Sequence, residues 1–275
     1  MPVRSFKGYQ VSGGASVAQV AEAIAEGATI IRYQINPQRQ LPWREQAIVE
    51  LEHFKQVLLS IHIRIQVVLD LHWAPKENRI EEVKWFWSKA FEIVGVSSRL
   101  IYGVLNEPDE APTSNAILMR AVYHHIRSLS KKVTIAVSSA YGDPLKLRHV
   151  PFFDGDSKVW YEFHFYNPMS FSHQGTPQYP TVGKKFPTAS NSVARMKAVL
   201  AQAYAFRRAH PNAQLFVGEF SCIDFADDDS RSLYIRECIL RWKELRAHWC
   251  FHAWREWEHW QPAGKTLEVL RRNMK

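Results

Sequence analysis

The sequence predicts an α/β fold, a single closed (β/α)8 barrel of the TIM type over residues 1–275. Three observations predict it. Short apolar runs alternate with amphipathic segments along nearly the whole chain, strand then helix, eight times over. Most of the runs are apolar throughout rather than every second residue, as parallel strands buried on both faces must be. The length of 275 residues suits one such barrel, for which about 250 residues is ordinary.

The elements follow in order. Phe6 to Val11 reads as the first strand. Ser16 to Glu26 reads as a helix, with Ser16 and Gln19 at capping-box spacing and Gly27 placed to end it. Ala28 to Ile35, rich in Ile, is the second strand. Trp43 to Ile61 carries Ile48, Leu51, Phe54 and Leu58 at helical spacing. Ile63 to Leu71 is a continuous apolar strand. A helix over Glu77 to Val96, a strand over Leu100 to Leu105, a helix over Thr113 to Ser130 and a strand over Val133 to Val137 follow. The helix after the fifth strand is short or missing, with Asp143 to Val150 the sole candidate. Val159 to Phe165 is the sixth strand. Asn167 to Ser190, with four prolines and two glycines, reads as an excursion loop, and loops that long are usually functional. A helix over Asn191 to Ala209, a strand over Leu215 to Gly218, a helix over Asp228 to Arg246, a strand over Trp249 to Trp254 and a helix over Thr266 to Arg272 complete the set.

Composition excludes several roles. The net charge is +8, but the basic residues are scattered in pairs such as Lys131-Lys132 and Arg207-Arg208, with no nucleic-acid motif; a solvated basic surface is expected, not nucleic-acid binding. Three cysteines without CxxC spacing argue against a disulfide framework or a cysteine zinc site. No run of 18 apolar residues exists, so no membrane span is expected. Met1 to Lys7 lacks the apolar core of a signal peptide. The chain as it stands is expected to be cytoplasmic and monomeric, or secreted if the sequence is a processed form.

In such barrels the active site lies at the C-terminal ends of the strands, and there the polar oddities collect. Glu107 closes the run from Ile101, and Glu219 closes the run from Gln214. A lone carboxylate is costly to bury, so neither is there for stability. Two of them on strands far apart match glycoside hydrolysis, which needs one acid and one nucleophile or base. Arg32 lies among isoleucines, and a buried guanidinium needs carboxylate partners; it would hold Glu219 ionised. Asp70 and His72 share one face of the third strand, followed by Trp73. Asn106 can donate to a sugar hydroxyl. Glu162, His164 and Tyr166 share a face of the sixth strand, with Glu162 a supporting group and the other two within reach of a neighbouring carboxylate. Gly218 allows close approach to the backbone. Trp254, followed by Trp257 and Trp260, offers a flat face to a sugar ring.

Taken together these residues resemble glycoside hydrolase family 5, the retaining cellulase-like barrels of clan A, over nearly the whole chain. The resemblance rests on Arg32, His72, the Asn106-Glu107 pair, His164, Tyr166, Glu219 and Trp254, in order and each at a strand end. It implies Glu107 as acid/base, Glu219 as nucleophile, and no metal or cofactor. The implied reaction is double displacement on a β-linked oligo- or polysaccharide, of the endo-β-1,4-glucanase kind. A β-mannanase or exo-β-glucosidase would use the same site. Rivals of another class are a non-catalytic carbohydrate-binding barrel and a metal hydrolase built on His72, His164 and Asp70. The segment Gly8 to Gly14 matches no pattern of the family.

Overall fold

The computed structural model describes residues 5–37, 42–61, 65–255 and 257–274. Eight parallel strands close into a barrel in sequence order, β1 to β8. They are β1 Lys7–Val11, β2 Ile30–Ile35, β3 Gln66–Leu71, β4 Leu100–Gly103, β5 Thr134–Ser138, β6 Val159–Phe165, β7 Gln214–Phe220 and β8 His248–Phe251. The seam is made by β1 and β8, with Gly8 opposite Cys250 and Tyr9 opposite Phe251. The expected start of the third strand at Ile63 lies outside the described residues.

The outer helices are α1 Val17–Ala25, α2 Trp43–Ser60, α3 Arg79–Ile93, α4 Pro112–Leu129, α5 Met169–Ser172, α6 Val193–Val199, α7 Ala201–Ala209, α8 Asp228–Leu245 and α9 Gly264–Met274. The capping box of α1 forms in both directions: the Gln19 amide donates to the Ser16 hydroxyl at 3.3 Å, and the Ser16 amide donates to the Gln19 side chain at 2.8 Å. Gly27 then takes φ 99°, the left-handed exit that favours glycine. After β5 two short 3-10 turns, Ala140–Gly142 and Pro144–His149, stand where a full helix is missing. The helix expected over Asn191 to Ala209 is two helices, interrupted at Leu200, whose backbone turns to ψ 0°. The excursion after β6 contains α5 and a small bridge between Thr176 and Tyr179.

The barrel interior is layered. An apolar layer of Ile30, Val68, Ile101, Ala136, Trp160, Phe216 and Cys250 fills one level. Inner-face residues recur every second position along a strand. Two positions further on are Arg32, Asp70, Gly103, Ser138, Glu162, Gly218 and His252, with Gln10 two after Gly8. The apolar plug therefore gives way to a polar layer on nearly every strand. A second, larger core packs the strands' outer faces against the helices, with Trp87, Trp242 and Phe54 among its buried members.

Candidate functional site

Arg32 is the hub of the polar layer, and it is fully buried. Its guanidinium donates to Glu219 Oε1 at 2.7 Å, to Gln10 Oε1 at 2.6 Å and to Asn106 Oδ1 at 2.7 Å. It also lies 3.0 Å from Asp70 and 3.2 Å from Glu162. Burial opposes this charge, but Asp70, Glu162 and Glu219 outweigh burial and keep the guanidinium firmly protonated. The attraction of three carboxylates offsets the desolvation of the buried cation, and deleting either side would leave the other uncompensated.

Glu219 is reached through a slip in register. Phe163 pairs with Val217, but His164 pairs with Glu219, so Gly218 is the extra residue. A bulge of this kind re-aims the side chain beside it. Gly218 must also be glycine for room: a Cβ there would stand 1.9 Å from Glu162 Oε1 and 2.8 Å from His164 Nε2. The close approach expected of this glycine is thus made by Glu162 and His164. With Oε1 on Arg32, Glu219 accepts at Oε2 from the Tyr166 hydroxyl at 2.8 Å. Burial raises the carboxyl's affinity for a proton, but the charges of His164 and Arg32 overcome it and hold Glu219 well below the usual carboxylate range. Burial pushes His252 itself down to about 4, so it is neutral near pH 7. Tyr166 is held protonated by burial and by the Glu219 charge, which makes it a donor.

His164 lies between three carboxylates. Its Nδ1 is 2.7 Å from Glu107 and 3.8 Å from Glu219, and its Nε2 is 3.3 Å from Glu162. Burial disfavours the imidazolium, yet Glu219, Glu107 and Glu162 together raise His164 to about 10. Both ring nitrogens then donate. Glu162 is fully buried; burial opposes its ionisation, while Arg32 and His164 favour it and lower its pKa overall. Ser138 adds a hydrogen bond to Glu162 at 3.0 Å.

Glu107 is on the rim, with its side chain 41% exposed. Its backbone takes φ 37°, the left-handed region that costs a non-glycine residue about 1–3 kcal/mol and that collects at functional sites. One carboxylate oxygen of Glu107, one of Glu219 and a His164 nitrogen all lie within 4.8 Å of one another. Among the described residues this trio is the cluster that could hold a metal ion; His72, Asp70 and His164 form no such group. The donor set suits a proton network better than a cation. His164 donates from both nitrogens, and a ligating imidazole must be neutral; Arg32 and Tyr166 already occupy Glu219.

Two cavities meet at Glu107. One, of ≈ 290 Å³, is lined by His72, Trp73, Lys76, Arg79 and Asn106. The other, of ≈ 430 Å³, is lined by Tyr141, Gly142, His164, Tyr166 and, from the excursion loop, Asn167 and Met169. His173 of that loop packs edge-on against Tyr166 and Trp260 at 5.0 and 4.9 Å.

The structure thus brings Arg32, Asn106, Glu107, His164, Tyr166 and Glu219 into one network. It adds His72 through Asp70 at 3.1 Å and Trp73 at a cavity wall. Trp254 stands apart. It lies beyond the end of β8, is 6% exposed, and packs on Tyr9 at 4.8 Å with the Arg255 guanidinium 5.4 Å from its ring. Little of its face is left for a sugar. Trp257, 59% exposed, and Trp260 have their rings 5.4 and 5.7 Å from that of His252. The residues not foreseen are Gln10, Ser138 and His252. Each is a polar side chain on the inner face of an apolar strand, and its presence in an apolar run is the one mark the sequence bears, the face being set by register.

No curated protein sequence matches this chain. Among solved structures, Thermotoga maritima Cel5A in complex with mannotriose superposes with a TM-score of 0.80 at 16% identity, covering 96% of this chain and 97% of that one. The Cel5A complex with cellobiose gives 0.79 at 17%, covering 96% and 97%. Cellulose synthase subunit Z (CcsZ) from Clostridioides difficile gives 0.79 at 16%, covering 97% and 99%. At such identities the likeness establishes the shared barrel. The model of the cellulase family, glycosyl hydrolase family 5, matches residues 4–258, and the chain belongs to that family of glycoside hydrolases.

Proposed function

We infer that the chain is a retaining β-glycosidase acting on a β-1,4-linked glucan. The observation that carries this reading is that one carboxylate oxygen of Glu107 and one of Glu219 lie within 4.8 Å of each other. Retaining pairs stand about 5–5.5 Å apart, whereas inverting pairs need roughly 6.5–9.5 Å to admit a water.

Glu219, anionic on Arg32, attacks the anomeric carbon through Oε2, the oxygen that Tyr166 touches. As the new C–O bond forms, the glycosidic C–O bond breaks, and Glu107, in its protonated form, gives that proton to the leaving oxygen while Glu219 and Glu162 keep His164 charged. His164 keeps the Glu107 carboxyl oriented. Water then attacks the glycosyl-enzyme, Glu107 takes its proton, and Glu219 leaves as the carboxylate, with net retention. The amide nitrogen of Asn106 is available to a sugar hydroxyl, since its oxygen is held by Arg32.

A panel of β-linked polysaccharides and aryl glycosides, with reducing ends counted and product anomers read by NMR, tests this. Release of the β-anomer first from a β-glucan is expected, and first appearance of the α-anomer would refute retention. Glu219→Gln should lower turnover by about 10⁴-fold or more while thermal unfolding stays cooperative; retained activity would remove Glu219 from the role of nucleophile. Because Cel5A has been seen with mannotriose as well as cellobiose, a β-mannan belongs in the panel, and preference for it would move the substrate assignment but leave the mechanism.

A further inference from the structure

His252 has no part in the steps above, yet it stands at their centre. It continues the inner face of β8 two positions past Cys250 and is 4% exposed. Its Nδ1 is buried and has no hydrogen-bond partner. That nitrogen is 3.9 Å from Oε2 of Glu219, too far for a hydrogen bond. One oxygen at about 2.8 Å from each would bridge them. The rest of the ring is walled by aromatic edges, with Trp257 at 5.4 Å, Trp260 at 5.7 Å and Tyr166 at 6.3 Å. A buried polar atom is expected to be satisfied, and one without a protein partner is open to a water or a ligand group; here the atom also faces Glu219 in the cleft.

We propose that His252 is a substrate-binding residue whose unpartnered ring nitrogen hydrogen-bonds a hydroxyl of the sugar ring under attack, sharing that hydroxyl with Glu219. The identity of the ligand rests on the glycosidase reading; the vacancy in the hydrogen bonding of His252 does not. Burial keeps the imidazole neutral down to about pH 4, so it acts as a hydrogen-bonding group rather than a second charge beside the nucleophile. The end of β8 then reads a hydroxyl, in place of the flat face expected of Trp254.

The test compares wild type with His252→Phe on a β-aryl glycoside and its monodeoxy analogues. The variant is expected to lose roughly 5- to 100-fold in kcat/KM on the intact glycoside. It should lose nothing further on the one analogue that lacks the hydroxyl His252 holds, because the pair acts as a unit. An equal loss on every analogue would mean that His252 merely shapes the barrel and would overturn the proposal. If the wild type cleaves no glycoside, the glycosidase reading falls by itself. In that case, or if the variant does not fold, ¹⁵N NMR of the wild-type histidine rings decides. A shift of the His252 nitrogens on adding cellobiose supports saccharide binding there, and an unmoved signal at saturating cellobiose overturns it.

Discussion

Replacing Arg32 by Met keeps an unbranched side chain of similar length and removes the charge. Glu219, Asp70 and Glu162, at 2.7, 3.0 and 3.2 Å, then lose their shared cation. His164 still faces Glu162 and Glu219, and His72 still faces Asp70, so the network need shed about one negative charge by taking up a proton. At pH 7 a carboxyl of ordinary pKa near 4.3 costs about 3.7 kcal/mol to protonate, and at pH 5 about 1 kcal/mol. The first figure agrees with the ~3–5 kcal/mol found when one partner of a buried pair is deleted. For a chain of this size the expected loss in Tm is roughly 7–15 °C at pH 7 and roughly 2–4 °C at pH 5. The sign follows from linkage: a carboxyl whose folded pKa is depressed lends stability above its unfolded pKa and loses it as pH falls through the folded value. Differential scanning calorimetry at the two pH values is the assay. A deficit that is the same at both, or under ~3 °C at pH 7, would refute the hub role of Arg32. In the same variant the acid limb of kcat/KM should move to higher pH, because Glu219 has lost a charge that favours its ionised form.

Three further outcomes are expected. Glu107→Ala should hardly slow the first step on aryl glycosides with acidic leaving groups but should stall on cello-oligosaccharides, and added azide should restore turnover as a β-glycosyl azide; equal slowing on both substrate types would remove Glu107 from the acid role. Gly218→Ala should cost about 1–3 kcal/mol through overpacking, since its new methyl meets Glu162 and His164, and should depress kcat more than KM; an unchanged Tm would show that the bulge has slack. In ¹⁵N spectra, His164 should remain an imidazolium until about pH 10 and His252 should remain neutral until about pH 4. The stability His164 lends is therefore complete below its unfolded pKa of about 6.5 and lost as pH rises through about 10; a neutral His164 at pH 8 would contradict the three-carboxylate cage.

The barrel was legible because its strands are buried on both faces and so spell unbroken apolar runs, and Val159 to Phe165 was bounded to the residue. Glu107 and Glu219 stood out because nothing in an apolar run explains a carboxylate. What escaped was decided by register. Gln10 and His252 lie on the inner face with Arg32, but a single polar residue within four or five apolar ones carries no sign of which face it takes until the pairing of β1 with β8 is known. The chemistry of Trp254 suits a sugar face, whereas its place depends on β8 ending at Phe251, after which its ring packs on Tyr9. The break at Leu200 leaves no mark in a helical pattern that continues on both sides.

The seam between β1 and β8 governs when the centre comes into being. The Phe6 amide donates to His248, 242 positions away, and Arg32 waits 187 residues for Glu219. Contacts so distant in sequence form slowly, after much chain entropy has been lost. A nascent polypeptide therefore offers Arg32 its Asp70 partner early but Glu219 only near the end, and the ring cannot shut before its last stave is made. The polar layer therefore gains Glu219 and His252 last, as β7 and β8 join and the ring shuts on β1.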